Sequence, residues 1–590
     1  MPHPSQLHRE GWDFKSSIHF FILALTAFIA VLPLILNGCS CGHDFNFHLL
    51  NWMEAAHQFS HGNLHPHWVF SAAYNAGEPR FVFYPPLSWT VGAILGLLMP
   101  WTWTAIVYTW LCLTAAGLAL YRLAREFATP NAALIAAAFY LVNPYTLFTA
   151  YERTAYSELL AAAWIPLLLL AILRKKITIT GIAIPVALLW LTNDPAAVMG
   201  CYALALCTLI RIVQAATNPE AALTPLQIAT KAGAGTFLGL GLASFYILPA
   251  AYERRYVQIT AALAPGSSIQ NNFLFHHTAS PSHNAVLNTA STIAVILIAL
   301  TAIAIAAILL SNPIPKARVT HPSQPHREPG YPPASLVGWK ECETQHLTAP
   351  LAILTIAIAF LLTPLSNPIW QHVPELRFLQ FPWRLLAILA AALGLAIALA
   401  FTRAKFRAII AAGLSVALAI ALTFTGYDLF HQYCYPEDTV PASLTAFRSN
   451  AGAEPNNEYA PIAADNLALN HSNPPYWLIP YQHSNINANA SASATPGPAP
   501  ASLTLNTTTP QILVLNLRDY PRWRLTLNQT ILSIRLHRSD GLIALPIPAG
   551  LNHIAITSIR TLDQTIGDIL SLFSLAILLL VLRRKRLPNP

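Results

Sequence analysis

Long apolar runs alternate with polar stretches along the chain, and the polar stretches carry nearly all of its charge. The apolar runs fall at 18–36, 104–121, 130–149, 158–173, 177–192, 196–213, 232–250, 287–310, 349–363, 385–401, 408–426 and 566–582. Each can cross a hydrocarbon layer once tilt is allowed for, so the pattern predicts an α-helical polytopic membrane protein with about twelve transmembrane helices. The run 87–100 differs, because at a rise of about 1.5 Å per residue it covers only about 20 Å of a core roughly 30 Å thick. It is expected to lie along the membrane surface.

Three polar stretches interrupt the apolar pattern. In the first loop, 37–103, Leu49, Trp52, Ala56 and Phe59 recur at helical spacing and make one apolar face, and Pro85-Pro86 opens a second helix. The stretch 312–348, rich in Pro and His, reads as a disordered cytoplasmic loop. The stretch 427–565 is large enough for a small domain. Its latter half alternates as strands do at 511–517, 523–527, 531–536, 541–547 and 553–559, with turn residues between. This pattern predicts an antiparallel β-sandwich, preceded by a flexible insertion at 484–502 rich in Asn, Ala, Ser and Pro. The expected plan is a membrane domain at 1–426, the β-rich domain at 427–565, and a final helix with a basic tail at 566–590.

Composition agrees with the pattern: 55% of residues are hydrophobic and only 10% charged, where a soluble chain has about a quarter charged. A formal charge of +8 would suit a nucleic-acid partner, but the Lys and Arg sit in short clusters between apolar runs, so no nucleic acid is expected. If 87–100 does not cross, Arg122/Arg125, Arg174-Lys175-Lys176, Lys231, Lys316/Arg318, Arg403/Lys405/Arg407 and Arg583 to Arg586 all share one side. The positive-inside bias makes that side the cytoplasm. Both termini are then cytoplasmic, in a cytoplasmic (inner) membrane, and the first loop and the β domain are external. Arg9 and Lys15 precede the first run and no small-residue cleavage site follows it, so it reads as a retained helix. Seven cysteines are too scattered for a disulfide scaffold; Cys39, Cys41 and Cys434 fall outside, where a bridge to Cys434 is open but unassigned.

The external segments hold the candidate chemistry. Asp44, His48, Glu54, Glu78 and Arg80 lie in the first loop, Glu152, Arg153 and Glu158 in Tyr151-Glu-Arg-Thr-Ala-Tyr-Ser-Glu158, and Arg377 and Arg384 before the run 385–401. An acid held at a membrane surface is costly to position, which makes Asp44 a candidate catalytic group. Transfer of a sugar from a lipid phosphate needs a carboxylate to take the acceptor's proton and cations against the departing phosphate, and arginine's fork of donors suits the second task. Plainer readings stand beside these. Asp44 is a favoured N-cap for the helix it precedes, Asp194 before Pro195 another cap, and Glu158 with Arg153 an ion pair at a helix entrance. Arg377 and Arg384 would also serve as interfacial anchors. His57, His61, His65 and His67 resemble a metal tract, but their irregular spacing around Pro66 argues against ligation, and no metal site is assigned. There is no Walker loop, dinucleotide glycine pattern or nucleophile elbow, so a leaving group would have to arrive with the substrate.

In this order the features resemble GT-C-type membrane glycosyltransferases. The chain is more closely similar to the bacterial multispanning proteins labelled 6-pyruvoyl-tetrahydropterin-synthase-related, which are similar to YfhO-type proteins. The matching segments are Asp44-Phe-Asn-Phe-His48, Phe83-Tyr-Pro-Pro-Leu87, the Tyr151 to Glu158 motif, Leu379-Gln-Phe-Pro-Trp-Arg384, and Tyr520-Pro-Arg-Trp with Asp540-Gly and Pro548-Ala-Gly550. Nothing in the chain supplies the soluble zinc chemistry that the pterin label names. The resemblance implies a transferase that takes sugar from a polyprenyl-phosphate donor and passes it to a cell-envelope glycan, lipid or protein acceptor outside the membrane. Asp44 is then the catalytic acid, and His48, Glu78, Arg80, Glu152, Arg153, Glu158, Arg377 and Arg384 surround the substrate. The loop has a single Asp where many GT-C enzymes have an acidic pair, so no cofactor is assigned and a divalent metal stays open. The rival readings are a non-enzymatic transporter or flippase and an envelope-assembly scaffold; the first calls for ionisable residues deep inside spans, whereas these acids cluster at span ends.

Overall fold

A computed structural model describes residues 14–218, 221–311, 338–404, 406–481, 485–490 and 495–584. Among the described residues nine helices are long and apolar enough to cross a membrane, from Ser17–Asn37 to Leu562–Arg583. Two expected spans are broken instead: Pro225–Leu242 meets Ser244–Tyr256 at 75°, and Leu347–Leu361 meets Pro364–His372 at 90°. The second break follows from Thr363, held extended by the proline after it. At the first, the freed amide of Phe245 donates to Ser571 Oγ of the last helix at 2.8 Å, so the bend leaves no orphan donor there.

The run 177–192 forms a helix of only 14 residues, Ile179–Thr192, short of a full span by length. It nevertheless leaves Arg174, whose guanidinium bonds Thr178 Oγ1, and returns to Ser157, whose hydroxyl meets Asn193 Nδ2 at 3.0 Å. It therefore pairs with its neighbour Tyr156–Leu173 end to end, and with it, counting each bent pair as one span, the candidate crossings among the described residues come to twelve. The run 87–100 is a 13-residue helix, Pro86–Leu98, with Pro86 in its first turn. It lies on the helix Phe45–Ser60 so closely that a Cβ at Gly92 would sit 2.2 Å from the Trp52 indole. Leu49, Trp52 and Ala56 are buried as their spacing predicts.

One expectation fails at its boundary. Residues 312–337 of the loop read as disordered lie outside the described residues, but its end, 338–348, belongs to the helix Gly338–Leu361. The proline-rich tract stops at Pro333, and the helix that follows continues through Pro350.

Among the described residues the C-terminal β region has seven strands: β1 (Tyr476–Pro480), β2 (Ser502–Thr507), β3 (Gln511–Arg518), β4 (Trp523–Leu527), β5 (Thr530–Leu532), β6 (Leu542–Ile547) and β7 (Gly550–Ser558). They form two antiparallel sheets, β1-β3-β6 and β2-β7-β4-β5. Leu513, Leu515, Leu525, Ile543, Leu545 and Ile554 fill the space between them. The sequence pattern omits β1 and β2, and the run 531–536 is strand only at its start, since Leu536 returns as an isolated bridge to Ala544. Within the expected insertion, Ile486 and Ala488 pack against the apolar cluster that includes Trp477, whose Nε1 donates to Ala488 O at 3.2 Å.

Strand β3 is buried along both faces. Its outer face is covered by the first loop through Ala73 and Ala76, with Arg518 N donating to Ala76 O at 2.9 Å and Asn516 Nδ2 to Tyr74 O at 3.1 Å. A disulfide joins Cys41 to Cys434, 393 residues apart, so the loop is fixed at both its root and its tip. Cys41→Ser is expected to lower stability by about 2–5 kcal/mol, read as a lower melting temperature that reductant no longer changes.

Candidate functional site

The strap that leads from the first span into the helix Phe45–Ser60 is held by the Tyr151 to Glu158 motif. Ser40 Oγ donates to Tyr151 O at 2.6 Å, His43 N to Glu152 O at 3.2 Å and Asp44 N to Arg153 O at 2.9 Å. Gly42 permits this approach, because a Cβ there would lie 2.2 Å from Glu152 O. The helix Pro130–Val142 and its short continuation end in a π turn, Phe148–Glu152, and Thr154 then takes a φ of +47°. A π turn followed by a β-branched residue in the left-handed region is strained backbone of the kind found beside functional groups.

Asp44 occupies the N-cap position of Phe45–Ser60, yet its side chain makes no capping hydrogen bond. The plain structural role suggested by its position is not the one its carboxylate performs. Arg153, Arg384, His48 and Tyr84 all lie within its electrostatic reach. Arg153 Nη1 bonds Glu158 Oε2 at 2.8 Å, and the Arg384 Nε sits 3.9 Å from the same oxygen. Glu158 Oε1 accepts from the Tyr145 hydroxyl. Both oxygens of Glu158 are thus engaged, and its part is to hold the two arginines. Arg384 gives Nη1 to Leu379 O at 3.0 Å, and its buried Nε has no hydrogen-bond partner. Arg153 stacks over Trp383 and Arg384 over Phe381, so both guanidiniums are braced by aromatic rings.

His48 is buried against Tyr84 and Tyr156, and burial holds its pKa down to about 4. The unfolded chain takes up a proton near 6.5, so stability is complete above that pH and is lost as pH falls towards 4. The melting temperature is expected to drop across that window, and His48→Gln to make the drop shallower. Burial also pushes the Tyr84 phenol up, so it stays protonated; its oxygen lies 2.9 Å from Ser157 Oγ.

The other candidates stand apart. Glu78 and Arg80 pair with each other at 2.9 Å, fully buried, and clasp Asn51 and Asn456, joining the first loop to the segment before the β domain. Glu152 contributes its backbone to the strap, while its side chain interacts with Gln432. Arg377 is exposed and projects over Phe378 into a separate cleft of about 680 Å³ beside Tyr252, Arg254 and Arg255. Of the histidines, His65 and His67 face each other at 4.5 Å in another pocket; among the described residues no three His, Cys, Asp or Glu side chains converge as a metal-ligand set.

One acid emerges that spacing alone did not single out. Asn193, not Asp194, caps the helix Asp194–Thr217, accepting from Ala196 N at 2.9 Å. Asp194 Oδ2 accepts from the Tyr246 hydroxyl at 2.6 Å, and its buried Oδ1 has no partner. Tyr84 lies within reach of both Asp194 and Asp44. The signal available in the sequence was two adjacent cap-forming residues, Asn193-Asp194, where a helix can use only one at that position.

No protein-family model and no curated protein matches the sequence, so the resemblance to pterin-synthase-related and YfhO-type proteins rests on the quoted motifs alone. Among solved structures, the arabinofuranosyltransferase AftD from mycobacteria matches with a TM-score of 0.40 and 17% identity over 69% of this chain. The match spans 27% of that protein, about a quarter of its length.

Proposed function

We propose that this chain is a membrane glycosyltransferase of GT-C type that moves a sugar from a polyprenyl-phosphate donor to a cell-envelope acceptor at the external face. The observation that carries this reading is the Asp44 carboxylate, free of its capping bond and set opposite two arginines that share one glutamate. Asp44 takes the proton of the acceptor hydroxyl as its oxygen attacks the anomeric carbon. The bond from that carbon to the donor phosphate breaks, and the Arg153 and Arg384 guanidiniums stabilise the charge left on the phosphate. Because Glu158 neutralises only part of their charge, the pair retains a net attraction for a phosphate.

The orientation follows from the charge clusters, with the first loop, Asp44 and the β domain outside. In this reading the β domain, joined to the first loop through β3, guides an acceptor towards Asp44; the contact between loop and strand supports it. Glu78 and Arg80 act here by holding that domain in place, and Arg377, in its separate cleft, takes no part. The test is an assay of purified full-length protein with labelled polyprenyl-phosphate sugars and a cell-envelope extract as acceptor. Transfer of label supports the reading; absence of turnover with every donor in the set favours a transporter or an assembly scaffold.

A further inference from the structure

A second pocket, of about 480 Å³, lies away from Asp44 where the first loop, the β domain and the last helix meet. His65, His67, Phe245, Arg522, Ser558 and Arg560 contribute to its wall. Arg560 is committed to an ion pair with Asp568 of the last helix. Arg522 is held differently: its Nε and Nη2 both donate to Ser558 Oγ, at 3.1 and 2.7 Å, while its Nη1 is buried with no hydrogen-bond partner. Ser558 Oγ, already accepting twice, still has its own hydrogen to give. The charge of Glu253 reaches Arg522, but the two Glu253 oxygens are occupied by Tyr520 and Gln564, at 2.7 and 3.2 Å. Burial depresses both histidines, His67 to about 2, so they line the wall as neutral rings. A buried guanidinium edge without a partner costs free energy that an anionic oxygen would recover.

The surroundings indicate what carries that oxygen. Gln564 and Asp568 line the pocket, and Leu572, Leu575 and Leu579 continue the same face of the last helix away from it. These leucines are exposed by 67%, 43% and 50%, so an apolar track leads directly from the polar pocket. A free phosphate would use the pocket and leave the track bare; a lipid uses both.

We propose that this pocket binds the phosphate of an anionic bilayer phospholipid, its acyl chain lying along Leu572, Leu575 and Leu579, and so ties the β domain to the membrane surface. The site is independent of the transferase reading, since it shares no residue with the Asp44 cluster. Full-length protein in detergent is titrated with phosphatidylglycerol, and bound lipid is counted by native mass spectrometry. Wild type is expected to retain one lipid that Arg522→Gln binds about tenfold or more weakly. Ser558→Asp, which gives Arg522 an internal carboxylate, is expected to lose the same lipid without a lower melting temperature, and it decides the matter if Arg522→Gln fails to fold. Equal retention by wild type and folded Ser558→Asp protein would overturn the proposal. Displacement of the retained phosphatidylglycerol by an equimolar polyprenyl phosphate would also overturn it, because the pocket would then belong to the donor.

Discussion

Asp44→Asn is expected to lower transfer by about 10²–10⁴-fold while leaving the melting temperature nearly unchanged. The two halves of this expectation come from the same geometry. Asparagine keeps the size of the side chain, and the backbone bonds that fix the residue, Asp44 N to Arg153 O and His48 N to Asp44 O, do not involve the carboxylate. Since that carboxylate makes no capping bond, the start of the helix Phe45–Ser60 does not depend on its charge. What the amide lacks is the capacity to accept a proton in the transition state. Asp44→Glu is the sharper comparison, because it restores the base but moves it by one methylene; partial activity would distinguish a proton acceptor from a purely electrostatic role. Full activity in Asp44→Asn would remove this residue from the chemistry and direct attention to Asp194, the other acid with an unpartnered oxygen in the same neighbourhood.

The second large effect concerns Glu158. Glu158→Ala is expected to destabilise the protein by about 3–5 kcal/mol, because it leaves the Arg153 guanidinium buried without its counter-charge. The Tyr145 hydroxyl loses its acceptor at the same time. Activity should fall too, as Arg153 and Arg384 would then repel each other with nothing between them. A double-mutant cycle separates these causes: Arg153→Met with Glu158→Ala removes the pair together and should be less destabilised than Glu158→Ala alone. If the single and double variants melt alike, the pair is not coupled and Glu158 has some other part. Thermal unfolding in detergent provides the stability readout, and the labelled-donor assay provides the other.

Much of the architecture was legible because hydrophobic burial is a local, additive signal. Apolar runs of sufficient length located the candidate crossings, and short strand-like runs bounded by turn residues located β3, β4, β6 and β7. The signal weakened where length was marginal or burial one-sided. β1 and β2 were missed: β1 ends at Pro480, and β2 follows directly on the polar stretch that reads as an insertion. The bends at Ala243 and Thr363 were invisible to hydropathy because a bent apolar segment has the same composition as a straight one.

The site divides in the same way. By itself the sequence determined the fold class, and it offered the acids and arginines between the apolar runs as candidates, with Asp44 as a residue either structural or chemical. Only the tertiary structure shows that its carboxylate makes no capping bond, since a cap is defined by a hydrogen bond between groups that spacing alone does not place. It likewise brought Arg153 and Arg384, 231 positions apart in the numbering, onto one glutamate, sent Arg377 to another cleft, and released Asp194 from capping. Spacing along a chain determines which residues share a helix face, but contacts between distant segments depend on how whole elements pack, which no local pattern encodes.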